Sequence, residues 1–147
     1  MRYIYHAKLR PTPDGGYVVR FPDVPEAITA GDTLNEALAM AEDALAVALL
    51  GRIEAGEPLP HPRQPGADEN LHPVAVPAPV AAKLALIQLW RQSGLSKSAL
   101  ARRMGVDEKV VRRLLDPNHN SSLTRLDEAI QALGGKLIIS TDFPDAA

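Results

Sequence analysis

Seven basic residues, Lys97, Arg102, Arg103, Lys109, Arg112, Arg113 and Arg125, fall within thirty positions in the second half of the chain. Cations at this density neutralise phosphates, and counterion release gives salt-dependent affinity for nucleic acid. Their spacing is organised. Ser96 is placed to cap a first helix, with Ala99, Leu100 and Met104 as its apolar side. Gly105 suits the turn, and Asp107 is placed to cap a second helix. Val110, Val111, Leu114 and Leu115 form the inner side of that helix, leaving Glu108, Lys109, Arg112 and Arg113 outside. This pattern predicts a helix-turn-helix whose second helix presents a basic face to a DNA major groove. Glu108, Lys109 and Arg112 are placed for base edges, and Arg113 for bases or backbone. Lys97, Ser98, Asn118, Asn120 and Ser121 are candidates for phosphate contacts, which position without specifying. An αα-hairpin with a solvated charged face would share the apolar pattern; the whole set of cations, hydroxyls and amides favours DNA.

Catalytic chemistry finds less support. A strand-rich front with one helix invites comparison with two-metal nucleases, which need carboxylates converging from strands and helix. The first strand carries no acid, and Glu36, Glu42 and Asp43 lie on a helix with no strand acids to meet them. His6, His61, His72 and His119 are far apart and lack metal-ligand spacing. Gly15-Gly16 joins two strands instead of opening a helix, so it is no phosphate loop. No catalytic residue, metal site or cofactor is expected. With no cysteine the chain has no disulfides, which is compatible with a reducing cytoplasm. The alternating, charged start is not a signal peptide, and no apolar run is long enough for a bilayer.

The elements that must carry these residues follow from periodicity. Residues 2–10 alternate, with Tyr3, Tyr5, Ala7 and Leu9 on one side, and Asp14-Gly15-Gly16 turns the chain into a returning strand, YVVRF. Ala27–Ala30 reads as a short third strand stopped by Gly31. Thr33 to Ala55 is the clearest helix, opened by a Thr33/Glu36 capping box. Leu34, Ala37, Leu38, Ala41, Ala44, Leu45, Ala48 and Leu49 form its main stripe. Val47, Leu50 and Ile53 form a second stripe that either widens the core contact or makes an interface. Residues 57–73, rich in proline and without period, are a loop or linker, and Val74–Val76 a fourth strand. A helix then runs from about Pro79 to Ser93, with Leu84, Ile87 and Trp90, or Leu86 and Leu89, inward. Leu123, Leu126, Ile130 and Leu133 mark a last helix, and 136–141 a final strand. That strand needs a partner for its backbone groups, and pairing with its twin about a two-fold axis is favoured over folding back.

The expected fold is α+β: an N-terminal antiparallel sheet with one main helix over residues 1–77, then an all-α helix-turn-helix domain over 78–147 ending in a short strand. Charge follows this division. Residues 1–72 hold six Lys/Arg against eleven Asp/Glu, a net of −5, and residues 73–147 hold ten against seven, a net of +3. Opposite signs suggest two kinds of partner.

Two stretches, YHAKLRPTPDGGYVVRFPDVPEAITAGDTLNEALAMAEDAL and VAAKLALIQLWRQSGLSKSALARRMGVDEKVVRRLLDP followed by LDEAIQALGGKLIIS, together resemble the HicB-type antitoxins of bacterial type II toxin–antitoxin pairs. Each motif is degenerate; their order is more specific. The resemblance implies that the front domain is a partial ribonuclease H fold without nuclease activity. It also implies a small basic partner, a HicA-type toxin that cleaves messenger RNA, neutralised by covering its RNA face and catalytic histidine. The back domain would repress its own operon by binding operator DNA; other members of the family use a ribbon-helix-helix there. Toxin contacts are expected among exposed acids at hairpin ends and loops: Asp14, Asp23, Glu26 and Asp32. The implied assembly is a cytoplasmic homodimer or tetramer built through the C-terminal domain. The competing reading is a helix-turn-helix regulator whose front domain senses a ligand or oligomerises, with no toxin.

Overall fold

The period-two alternation at the start of the chain does form strand β1, Ile4–Pro11. Tyr5 and Ala7 are buried, and Lys8 and Arg10 point to solvent. The hairpin leads to β2, Tyr17–Phe21, and a turn at Pro22-Asp23 leads to β3, Val24–Gly31. The third strand is eight residues long, beginning at Val24 instead of Ala27, because pairing with β2 extends past a bulge at Arg20/Phe21. The structure, a computed structural model, describes residues 1–67 and 69–143.

Helix α1, Leu34–Glu54, crosses one face of this sheet. Thr33 Oγ1 accepts from Glu36 N at 3.1 Å, while the Glu36 carboxylate reaches back to Asp32 N at 3.2 Å, one residue before the usual capping-box donor. Gly31 allows the close approach of strand and helix here. A Cβ at that position would lie 2.4 Å from Ala37 N, inside contact distance. Ala37, Ala41, Leu45, Leu49 and Ile53 are buried against Tyr5, Val19, Phe21, Val24 and Ala27. The second stripe divides: Ile53 joins the core, Leu50 is half-buried and Val47 is 71% exposed.

The proline-rich segment runs back across the sheet to β4, His72–Ala75, which pairs antiparallel with β1. The sheet order is β3-β2-β1-β4, with every neighbour antiparallel and β3 at one edge. Pro77 and Pro79 then start α2, Ala78–Ser93, which Gly94 closes in a left-handed conformation. Leu84, Leu86 and Ile87 are all buried, so both alternative inward sets take part. Helices α3, Lys97–Met104, α4, Glu108–Leu114, and α5, Leu123–Ala132, complete the chain. On α5 the inner side is Leu126, Ala129 and Ile130; Leu123 is exposed.

Hydrogen bonds and apolar packing connect the sequence-defined halves. Tyr3 OH hydrogen-bonds Gln88, and Arg91 of α2 donates to the Ile53 carbonyl at the end of α1 at 2.8 Å. One apolar cluster also runs from Tyr5 and Leu49 through Leu84 and Ile87 to Leu100, Val111 and Leu126.

The expected final strand is not present: residues 136–143 form neither helix nor strand. A strand exists only where a neighbour takes up its N–H and C=O groups, and no segment of the described chain does so here. Leu137 rests against the core, while Ile138 and Ile139 are 79% and 66% exposed.

Candidate nucleic-acid interface

Helices α3 and α4 are joined by three residues, Gly105–Asp107. Each helix is started by a side chain. Ser96 Oγ accepts from Ala99 N at 3.1 Å, and Asp107 Oδ1 from Lys109 N at 2.8 Å. Gly105 takes φ 68°, and its N–H closes the end of α3. Leu100, Ala101, Val111, Leu114 and Leu115 are buried, which turns Lys109, Arg112 and Arg113 outward.

The seven cations are not equivalent. Arg112 pairs with Glu108 at 2.9 Å and Arg125 with Glu128 at 3.1 Å. Arg103 donates to the Ala132 carbonyl at 3.3 Å, tying α3 to the end of α5. Among the described residues Lys97, Arg102, Lys109 and Arg113 have no side-chain hydrogen bond or ion pair. Four charges are therefore free to meet phosphates or bases. Glu108 braces the helix pair by accepting from both Arg112 and Ser98 Oγ, the latter at 3.1 Å. The Arg112 hydrogen bond, then the Ser98 one, holds its carboxyl below the usual carboxylate range. A base contact by Glu108 or a phosphate contact by Ser98 would have to exchange these bonds.

The polar loop after α4 is also partly committed. Asn118 donates to Glu54 of α1, and Ser121 Oγ accepts from Lys83 at 2.7 Å. Asn120 is exposed. Lys97 lies at the rim of a hollow of about 380 Å³ between the ends of α1 and α2 and the turn after α4, with Glu54, Trp90, Arg91 and Asp116.

Lys83 escaped the sequence reading. It is 4% exposed, and its Nζ also donates to the carbonyls of Arg113 at 3.1 Å and Leu114 at 2.9 Å. The signal was its spacing: positions 83, 86, 87 and 90 form one helical stripe, so this lysine sits in line with Leu86, Ile87 and Trp90.

The acidic candidates do not form one site. Asp14 and Asp32 are exposed at the end of the sheet where Gly16 approaches Gly31. Asp23 and Glu26 lie at the opposite end, and both already have partners. Asp23 accepts from the backbone and guanidinium of Arg63 at 3.2 Å. Glu26 is held by Arg52, whose hydrogen bond lowers its carboxyl against a smaller opposing effect of burial. Sequence reasoning missed the neighbouring groove of about 710 Å³ between edge strand β3 and α1, where Ile28, Met40 and Val47 are exposed beside Glu26, Asp43 and Glu57. Val47 in the second stripe was the available clue. No cluster of three or more His, Asp or Glu that could hold a metal occurs among the described residues, and no described helix is long and apolar enough to cross a membrane.

Known proteins place this chain in a family. Residues 4–85 match the family described as HicB_like antitoxin of bacterial toxin-antitoxin system. The chain is 39% identical over 138 residues to "Antitoxin HicB 1" of Photorhabdus laumondii, covering 94% of this chain and 86% of that protein. It is 38% identical over 135 residues to "Antitoxin HicB" of Escherichia coli K12, covering 90% and 95%. A HicB antitoxin of Pseudomonas fluorescens is 38% identical over 120 residues, 82% of each chain. The chain belongs to the HicB-like antitoxin family.

Proposed function

We propose that this chain is the antitoxin of a two-gene pair. In this reading the sheet and α1, a ribonuclease H-like scaffold over residues 1–77, hold a HicA-type, mRNA-cleaving toxin. Helices α3 and α4 form a helix-turn-helix that binds the operator of the same operon. The observation that carries the DNA half is the outer side of α4, where Lys109 and Arg113 are free and Arg112 stands beside them on a doubly capped helix pair. For the toxin half, the net −5 of residues 1–72 and the apolar-acidic groove along β3 and α1 suit a basic protein partner better than the scattered acids Asp14, Asp23 and Asp32 do alone. A symmetric dimer through 136–141, with tetramers as a further step, would match a two-fold operator in the cytoplasm.

Co-expression with the adjacent small basic gene product and a promoter-binding assay test the two halves separately. Lys109→Ala and Arg112→Ala should each weaken promoter binding by about 1–3 kcal/mol while toxin neutralisation persists. Growth arrest that the intact chain fails to relieve would remove the antitoxin half and leave a DNA-binding regulator without a toxin. Joint loss of both activities in these surface variants would refute the division of labour.

A further inference from the structure

Resting on the operator reading, we infer that Lys83 is the positioning residue of the operator-binding helix: its buried ammonium clamps the C-terminal end of α4 to α2 and to the segment leading into α5. The last carbonyls of any helix lack intrahelical donors and carry partial negative charge. Here the carbonyls of Arg113 and Leu114 both point at Lys83 Nζ, and Ser121 Oγ completes the set. Three N–H donors meet three acceptors, so the ammonium is fully used.

The clamp matters because α4 is short. Seven residues make two turns, too few to hold a helical position without outside contacts. Val111 and Leu114 set its depth in the core, and the ammonium adds directional bonds that fix the helix end in rotation. The clamped carbonyls are those of Arg113 and Leu114, next to Arg112, so any shift of this helix end moves the cations proposed to meet DNA. Contacts of that kind need placement to fractions of an ångström. A methionine would fill the same space without burying a charge, a burial that is costly. The geometry therefore points to orientation of α4 as the reason for a cation here.

The charge of this group is adjustable. Burial pushes Lys83 down to about 8, while the Asp116 carboxylate at the end of α4 works in the opposite direction. A neutral amine keeps two N–H donors for the two carbonyls and turns its lone pair to the Ser121 hydroxyl, so deprotonation replaces three charge-assisted hydrogen bonds by weaker neutral ones and loosens the clamp. A docking polyanion favours the charged form, so operator binding should draw a proton onto Lys83 above pH 8.

The test is promoter binding by the full chain at fixed salt, using the DNA upstream of its own gene, from pH 7 to pH 9.5. Wild type, Lys83→Met and Lys83→Gln are compared, with toxin affinity as the control. Lys83→Met should bind promoter at least about tenfold more weakly at pH 7 and show no further break with pH. Wild type should fall toward that level as pH rises, with Lys83→Gln intermediate and toxin affinity unchanged throughout. Equal promoter affinity of Lys83→Met and wild type at pH 7 overturns the inference, as does an unchanged pH profile in that variant. Equal loss of toxin affinity does so too, since Lys83 would then support the whole fold. If Lys83→Met does not fold, Lys83→Gln and the wild-type pH profile carry the same decision. Wild type that binds no promoter DNA at pH 7 overturns the operator reading itself and the role of Lys83 with it.

Discussion

At the residue scale, burial sets the chemistry of three ionisable side chains. Lys83 is pulled down from 10.5 to about 8 by desolvation. Tyr5 is pushed from 10.0 up to about 12 by burial, with Asp23 adding and Arg52 opposing, and burial likewise raises Tyr3. Their effects on stability have opposite signs. Between pH 8 and 10.5 the unfolded chain keeps the lysine proton that the native chain has released, so this residue makes stability rise with pH, by about 3 kcal/mol at most. From pH 10 the unfolded tyrosines lose protons that the native ones retain, so stability falls. Urea midpoints measured between pH 7.5 and 11.5 should therefore rise and then fall. Lys83→Met should abolish the rise and leave the fall; a rise that survives this substitution would show that another group causes it. The same deprotonation of Lys83 is expected to stabilise the fold and weaken the proposed operator binding, because the reference state is the unfolded chain in one case and free protein in the other.

At the element scale, the ends of helices draw many of the specific polar contacts. Thr33, Ser96, Asp107 and Ser122 start four helices by accepting backbone N–H groups of their first turns. The C-terminal ends are satisfied from farther away. Arg91 donates to the carbonyls of Ile53 at 2.8 Å and Glu57 at 3.3 Å, so α2 finishes α1 as Lys83 finishes α4. Arg91→Ala should cost about 1 kcal/mol and lower Tm by roughly 2–4 °C. Calorimetry checks this; an unchanged Tm would mean that water replaces the guanidinium without loss. The caps at Thr33, Ser96 and Asp107 were legible because donor and acceptor lie within three residues of one another; the Ser122 cap, at the end of a polar loop, was not read from the sequence. Arg91 and Lys83 act across 38 and 31 residues, and no local pattern announces that.

At the scale of the whole molecule, two sequence-defined halves are built on one continuous apolar cluster. The surface left over is uneven. Ile138 and Ile139 are more than half exposed on a segment without a strand partner, and Ile28, Met40 and Val47 line the groove on the opposite part of the chain. Isolated exposed apolar residues are normal, but adjacent ones on a segment that joins no sheet offer a surface to a neighbour. If that neighbour is the twin chain, Ile138→Asp with Ile139→Asp should give a monomer in sedimentation experiments. Under the proposed function, promoter affinity should then drop while toxin binding stays, because a two-fold operator would need both copies. A double variant that remains dimeric would move the dimer contact elsewhere, with the β3 groove as the next place to probe.

The chain's own pattern was sufficient for whatever depends on neighbours a few residues apart. Alternation placed Tyr5 and Ala7 inward, the three- and four-residue spacing placed Ala41, Leu45 and Leu49 on the sheet, and Gly105 with Asp107 marked the turn between α3 and α4. Side-chain direction and capping are local, so periodicity and residue type determine them. The tertiary structure alone decided the partners of charged groups that lie far apart in the sequence. It paired Asp23 with Arg63 and Glu26 with Arg52, drew Asn118 back to Glu54, and buried Lys83 against the end of α4. Those outcomes depend on which surfaces packing brings together and removes from water, and a cation in an apolar stripe becomes tolerable only once distant carbonyls converge on it. The absent final strand has the same cause, since its backbone has no ladder partner within the described chain.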